Sequence, residues 1–160
     1  MRLVNSNSQF QVLRNVKIGD GVRLCNFINL YDCEIGEGTL VGTFVEIQAG
    51  SKIGRNCRIQ SHTFICSGVT IGDEVFVGHG VMFINDNFPS ATTEHSRSWA
   101  IAPVQVGDRS SIGTGAIILG GVTIGQNVLI AAGAVVVHDV PDNQTVIGVP
   151  ARRVSGGEPR

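Results

Sequence analysis

Large apolar residues recur at every sixth position through most of the chain. Stepping by six from Ile35 gives Val41, Ile47, Ile53, Ile59, Ile65, Ile71, Val77 and Phe83, and the step resumes with Val106, Ile112, Ile118, Ile124, Ile130 and Val136. Two residues before each lies a small or β-branched partner: Cys33, Thr39, Val45, Ser51, Cys57, Thr63, Val69, Val75 and Val81, then Val104, Ser110, Ala116, Val122, Val128 and Ala134. A period of two nested in a period of six predicts short strands, each turning one large and one small side chain inward, with turns between them. Helical periodicity does not produce this pattern. Glycine follows the large residue at every third step, as in Ile35-Gly36, Ile53-Gly54, Ile71-Gly72, Val106-Gly107 and Ile124-Gly125. Glycine, asparagine and aspartate tolerate the positive φ of sharp corners, so corners are predicted there.

Three repeats, 18 residues, then make one three-sided coil, and the fold class is all-β, a parallel β-helix. Roughly six coils about 4.8 Å apart give a prism near 30 Å long. Its flat faces carry spare apolar area, which closed self-association covers, and a homotrimer is expected. Organisation follows from the same count: a single domain over 1–160, with the β-helix at 16–140 and a C-terminal extension at 141–160. The repeat breaks at residues 84–103, and such a long irregular segment is uncommon in a compact fold unless it has a function.

Composition adds mainly exclusions. The chain is globular in composition, with 42% hydrophobic and 16% charged residues and a formal net charge of -1. No basic surface for nucleic acid or anionic membrane is expected. Residues 110–137 carry no charge, but their glycines and the pair Gln126-Asn127 mark packed repeat rather than a membrane span. Four cysteines without a CxxC pair, behind an N-terminus lacking an apolar signal core, suit a reducing cytoplasm. Cys33 and Cys57 fall in the small inward column and read as core.

The [Ile/Leu/Val]-Gly-x4 pattern over 16–137, closed by Ile147-Gly148-Val149-Pro150-Ala151-Arg152, resembles the hexapeptide-repeat acyltransferases. That resemblance implies a left-handed β-helix, a trimer, and acyl-CoA bound between neighbouring prisms. Two segments, Gln60-Ser61-His62-Thr63-Phe64 and Gly78-His79-Gly80-Val81-Met82-Phe83-Ile84-Asn85-Asp86, further resemble the N-acetyltransferases that modify amino sugars carried on dTDP or UDP. The implied reaction is direct transfer from acetyl-CoA to the sugar amine in a ternary complex, without a metal, for surface-polysaccharide biosynthesis.

Such chemistry asks for an uncharged amine, a destination for its proton and donors for the developing oxyanion. His62 is the candidate base or amine-orienting group: imidazole titrates near neutrality, and three residues after inward Ile59 its phase points away from the core. His79, two after inward Val77, is expected at a corner or inward and is a candidate substrate contact, with packing at the trimer face as the structural alternative. Asn85 and Asp86 stand where the chain leaves the prism, and the resemblance gives them the sugar or its amine, although a turn-forming Asn-Asp pair would read alike. The family's sugar O-acetyltransferases carry a catalytic His in a His-Pro loop here. This chain has Ile84-Asn85-Asp86-Asn87-Phe88-Pro89-Ser90, which favours an amine acceptor. Ser90 stands where relatives often have Arg, and Arg97 is the candidate substitute. For the cofactor the resemblance points to Thr114, Gly115, Ala132 and Gly133 along the pantetheine arm, to His138, and to Arg152 and Arg153 for the phosphates. Other acceptors, a sugar hydroxyl or an amino acid, stay open.

Two rival classes share the pattern. A γ-carbonic-anhydrase-like zinc site needs three histidines, but Ile84 stands five after His79, and Cys66 holds the remaining position. A non-catalytic scaffold is the other.

Overall fold

The computed structural model describes residues 1–7, 10–89 and 100–154. Its strands are mostly two or three residues long and almost all parallel, and the described residues contain no helix. They stack into three faces. Face A runs from Lys17–Ile18 through Glu34–Ile35, Lys52–Ile53, Val69–Ile71, Val104–Val106 and Thr123–Ile124 to a bridge at Val140. Face B runs from Arg23–Leu24 through Leu40–Val41, Arg58–Ile59, Phe76–Val77, Ser111–Ile112 and Leu129–Ile130 to Thr145–Ile147. Face C runs from Gln11–Arg14 through Ile28–Tyr31, Glu46–Ile47, Phe64–Ile65, Met82–Phe83 and Ile117–Ile118 to Val135–Val136.

Each face therefore holds seven rungs, one more than the roughly six coils expected. Six rungs of face A carry the glycine marker, from Ile18-Gly19 to Ile124-Gly125, and the seventh, Val140, is followed by proline instead. Coil length also drifts: partners are 17 residues apart at the start (Ile18 and Ile35), 18 in the middle (Ile35 and Ile53) and 16 at the end (Ile124 and Val140).

The predicted columns point inward. Ile35, Ile47, Ile59, Ile65, Ile112, Ile118 and Ile130 are fully buried, and each stabilises the stack by about 1.5–3 kcal/mol. Four inward positions carry hydroxyls, and each donates to a carbonyl about one coil on: Thr39 to Gly54 (2.9 Å), Ser51 to Cys66 (2.9 Å), Thr63 to Gly78 (3.1 Å) and Ser110 to Gly125 (2.8 Å). Buried oxygens thus stitch coil to coil rather than weakening the core. Burial pushes the Cys33 thiol up to about 12 and Cys66 up to about 11, as expected of inert core thiols.

The corners differ from the expectation in one respect. The glycine after each large residue is not the positive-φ residue; Gly21, Gly38, Asn56, Glu74, Arg109, Asn127 and Asn143 are, further round the turn. The first glycine is needed because coils touch there: a β-carbon on Gly107 would lie 2.6 Å from the Gln126 amide nitrogen. Each end of the stack is partly capped by an antiparallel strand. Arg2–Asn7 pairs antiparallel with Gln11–Ile18, and Arg152–Arg153 pairs antiparallel with Thr145–Ile147, so few strand edges are left open to aggregation.

Candidate active site

One corner, between faces B and C, gathers half of the candidate residues. Its left-handed position is Phe27, Phe44, His62, Gly80, Gly115 and Gly133 in successive coils. The residue before it is Thr43, Ser61, His79, Thr114 and Ala132, and amide hydrogen bonds join the two columns. The amides of His62, Gly80, Gly115 and Gly133 donate to the carbonyls of Thr43 (3.0 Å), Ser61 (3.0 Å), His79 (2.8 Å) and Thr114 (2.9 Å). His62, His79, Thr114, Gly115, Ala132 and Gly133 therefore share one edge. His79 is at a corner as expected, but its side chain is exposed rather than turned inward. The amides of Gly115 and Gly133 are held by the coil, so what these glycines offer is space. A β-carbon on Gly80, Gly115 or Gly133 would meet nothing within 4 Å. Beyond His62 the edge becomes an open slot of three rungs, about 10 Å from Gly80 to Gly133.

The opposite edge of face C carries the stem of the 84–103 insertion. Asn85 Nδ2 donates to the Ser67 carbonyl (3.1 Å), and Ser67 is itself held by Gln48 Oε1, which accepts from its amide at 3.3 Å. Asp86 Oδ1 accepts from the Phe88 amide (3.1 Å) in a tight turn. Asn87 engages Gly120 twice, donating to its carbonyl and accepting from its amide, both at 2.8 Å. Asn85 thus lends one N–H of its side-chain amide to the fold. Beside it a pocket of about 380 Å³ opens on face C, walled by Phe64, Met82, Ile84 and Ile117 with Asn85 and Asp86 at its rim. Its apolar walls and Asn87 escaped the sequence reading, because outward strand positions carry no periodic signal of their own. Arg97 lies outside the described residues, as do Trp99 and His95.

His138, Arg152 and Arg153 form a third group. They line a cleft of about 230 Å³ at the C-terminal end of the prism with Gln144 and Ala151. All three side chains are exposed. His138 follows the last strand of face C and so sits on the corner opposite the glycine slot. A cleft of about 390 Å³ between faces A and B, lined by Thr70, Gln105, Thr123, Asp108 and Asp142, holds none of the candidates. Near it Arg55 pairs with Asp73 (2.8 Å), and the guanidinium holds the Asp73 carboxyl below its usual range. The zinc reading fails on placement: Cys66 is buried in the core at 2% exposure, whereas His79 is exposed on the other corner.

Fold and edge together define a left-handed hexapeptide β-helix. Residues 6–95 match the family model for the GMPPB C-terminal domain, and residues 103–138 match the bacterial transferase hexapeptide model of six repeats. A hexapeptide-repeat-containing acetyltransferase from Vibrio cholerae, solved with acetyl coenzyme A, is 30% identical, with a TM-score of 0.66 over 76% of this chain and 69% of that one. The chain belongs to this hexapeptide-repeat transferase family. Perosamine N-acetyltransferase from Caulobacter crescentus, solved with CoA and GDP-perosamine, is 28% identical, with a TM-score of 0.64 over 90% of this chain and 57% of that one. The bifunctional protein GlmU of Thermosynechococcus vestitus is 32% identical over 149 residues, 83% of this chain. The chain spans about a third of that relative's length, 31%.

Proposed function

We propose that the protein is an acetyl-CoA-dependent N-acetyltransferase acting on the amino group of a nucleotide-linked amino sugar. The observation that carries this reading is the slot at Gly80, Gly115 and Gly133, headed by His62. Its glycines leave the path of an extended thioester arm free of side chains, and it ends in the coils next to the cleft of Arg152 and Arg153, whose guanidiniums suit the phosphates of CoA. The sugar-linked acceptor of the Caulobacter relative and the pocket beside Asp86 support the acceptor class.

In this reading the amine attacks the thioester carbonyl, the carbon–sulfur bond breaks, and CoA leaves as the thiol. His62 accepts or orients the amine proton, and Asp86 positions the sugar. Holding the two reactants together supplies much of the rate. His62 and Ser67, the residue that anchors Asn85, are the corners on either side of the Phe64–Ile65 rung, on opposite edges of face C. We read the working form as a homotrimer in which His62 of one copy faces the Asp86 pocket of the next.

Thiol release from acetyl-CoA with a panel of dTDP-, UDP- and GDP-linked amino sugars tests the reading. Turnover with one of them and none with the corresponding hydroxyl sugars is expected. Turnover only with a hydroxyl acceptor or a free amino acid would sink the acceptor assignment.

A further inference from the structure

Four aromatic rings stack at the corner that leads into the slot. Phe10 meets Phe27 edge-on, with centroids 5.4 Å apart, Phe27 lies on Phe44 at 5.3 Å, and Phe44 lies on His62 at 4.8 Å with planes inclined by 28°. Phe27, Phe44 and His62 take φ of 58°, 60° and 64°. That is the left-handed region, which costs a side-chain-bearing residue about 1–2 kcal/mol. Burial offers little in return, since Phe27 and Phe44 are 51% and 52% exposed. The next three coils place glycine at the same corner with nearly the same φ, 64° to 70°. The corner therefore suits glycine, and the rings are kept against that preference. Backbone strain of this kind clusters where function requires a fixed geometry.

What the ladder supplies is a plane at its end. Its ring faces cover one another, so it is no platform for a nucleobase. His62 is its last ring, and the column continues with Gly80, which has no side chain. An exposed histidine on its own would sample several rotamers, whereas one laid on Phe44 keeps one plane.

We propose that Phe44, backed by Phe27, is a positioning residue for His62, holding the imidazole so that a ring nitrogen faces the acyl-transfer slot. This rests on the acetyl-transfer reading above. Phe44→Gly removes the ring while relieving the backbone, and Phe44→Tyr keeps the ring.

Histidine-labelled full-length protein is compared by NMR, with His62 assigned through His62→Gln, and thiol release is measured alongside. In the wild type the His62 ring protons are shifted upfield by the Phe44 ring current. Phe44→Gly loses that shift and about tenfold in kcat, with the KM for acetyl-CoA within about twofold, and Phe44→Tyr restores both. Phe44→Leu serves if Phe44→Gly does not fold. A ring-current shift that survives loss of the ring overturns the proposal. So does loss of the shift with kcat unchanged, or a kcat loss that Phe44→Tyr fails to restore. A wild type that turns over no amino sugar overturns the reaction, and Phe44's role with it; an intact ring-current shift would then show that the stack was sound and the chemistry misassigned.

Discussion

Asn87 and Gly120 hold each other twice, side-chain amide to backbone, across 33 positions of sequence. One partner is in the insertion stem and the other is at the corner one coil below, where the left-handed turn is completed by Gly121. The pair closes the stem onto the prism just as Asn85 closes it onto the coil above through Ser67. Asp86 lies between the two clamps, so its place in the pocket is set by residues that do not themselves need to touch the sugar.

Asn87→Ala breaks both bonds, at a cost of about 1–3 kcal/mol in local stability. The β-helix core is untouched, and only a small loss of Tm is expected. The KM for the acceptor rises several-fold, while the KM for acetyl-CoA does not move. Steady-state kinetics varying each substrate in turn check this, and equal rises in both constants would contradict it.

Gly115→Asn places a side chain in the slot at the least backbone cost, because asparagine tolerates the φ of 70°. CoA binding measured by calorimetry weakens at least about tenfold, the equivalent of 1.4 kcal/mol. The same substitution at Gly50, an open left-handed corner on the opposite edge of face C and two coils from Asn85, leaves CoA affinity unchanged.

Ser110→Ala removes a buried hydroxyl that donates to Gly125 (2.8 Å) and accepts from the Val128 amide (3.0 Å). Two buried backbone groups then lose a partner, a loss of about 1–3 kcal/mol. Urea denaturation shows it as a lower midpoint with an unchanged slope.

The Asp73 carboxyl is held below its usual range mainly by hydrogen bonds from the Arg55 side chain and amide. Its folded pKa is thus lower than its unfolded one. The stability it contributes is present above the ordinary carboxylate value and is lost as pH falls through the folded value. Asp73→Asn is therefore slightly less stable than wild type at pH 7, and the gap closes on acidification toward pH 3. A gap that widened in acid would reverse the sign. The effect is small because the pair is solvent-exposed, with side chains 65% and 35% accessible.

The hexad columns determined the fold class without help from the structure. Which side chains face inward is a local matter in a two-residue strand, and every member of the large column from Ile35 to Val136 is buried. The sequence alone also marked the insertion, because a broken period is visible wherever it falls. Stacking decided the rest. His62, Gly80, Gly115 and Gly133 become one edge only because the coils keep register across the insertion, so that Phe83 and Ile118, 35 residues apart, are neighbours. Asn87 finds Gly120 for the same reason. The left-handed backbone at Phe44 and His62 was not legible, since residue preference argues against it. Contacts with the coils on either side hold that conformation, and those contacts exist only in the folded prism.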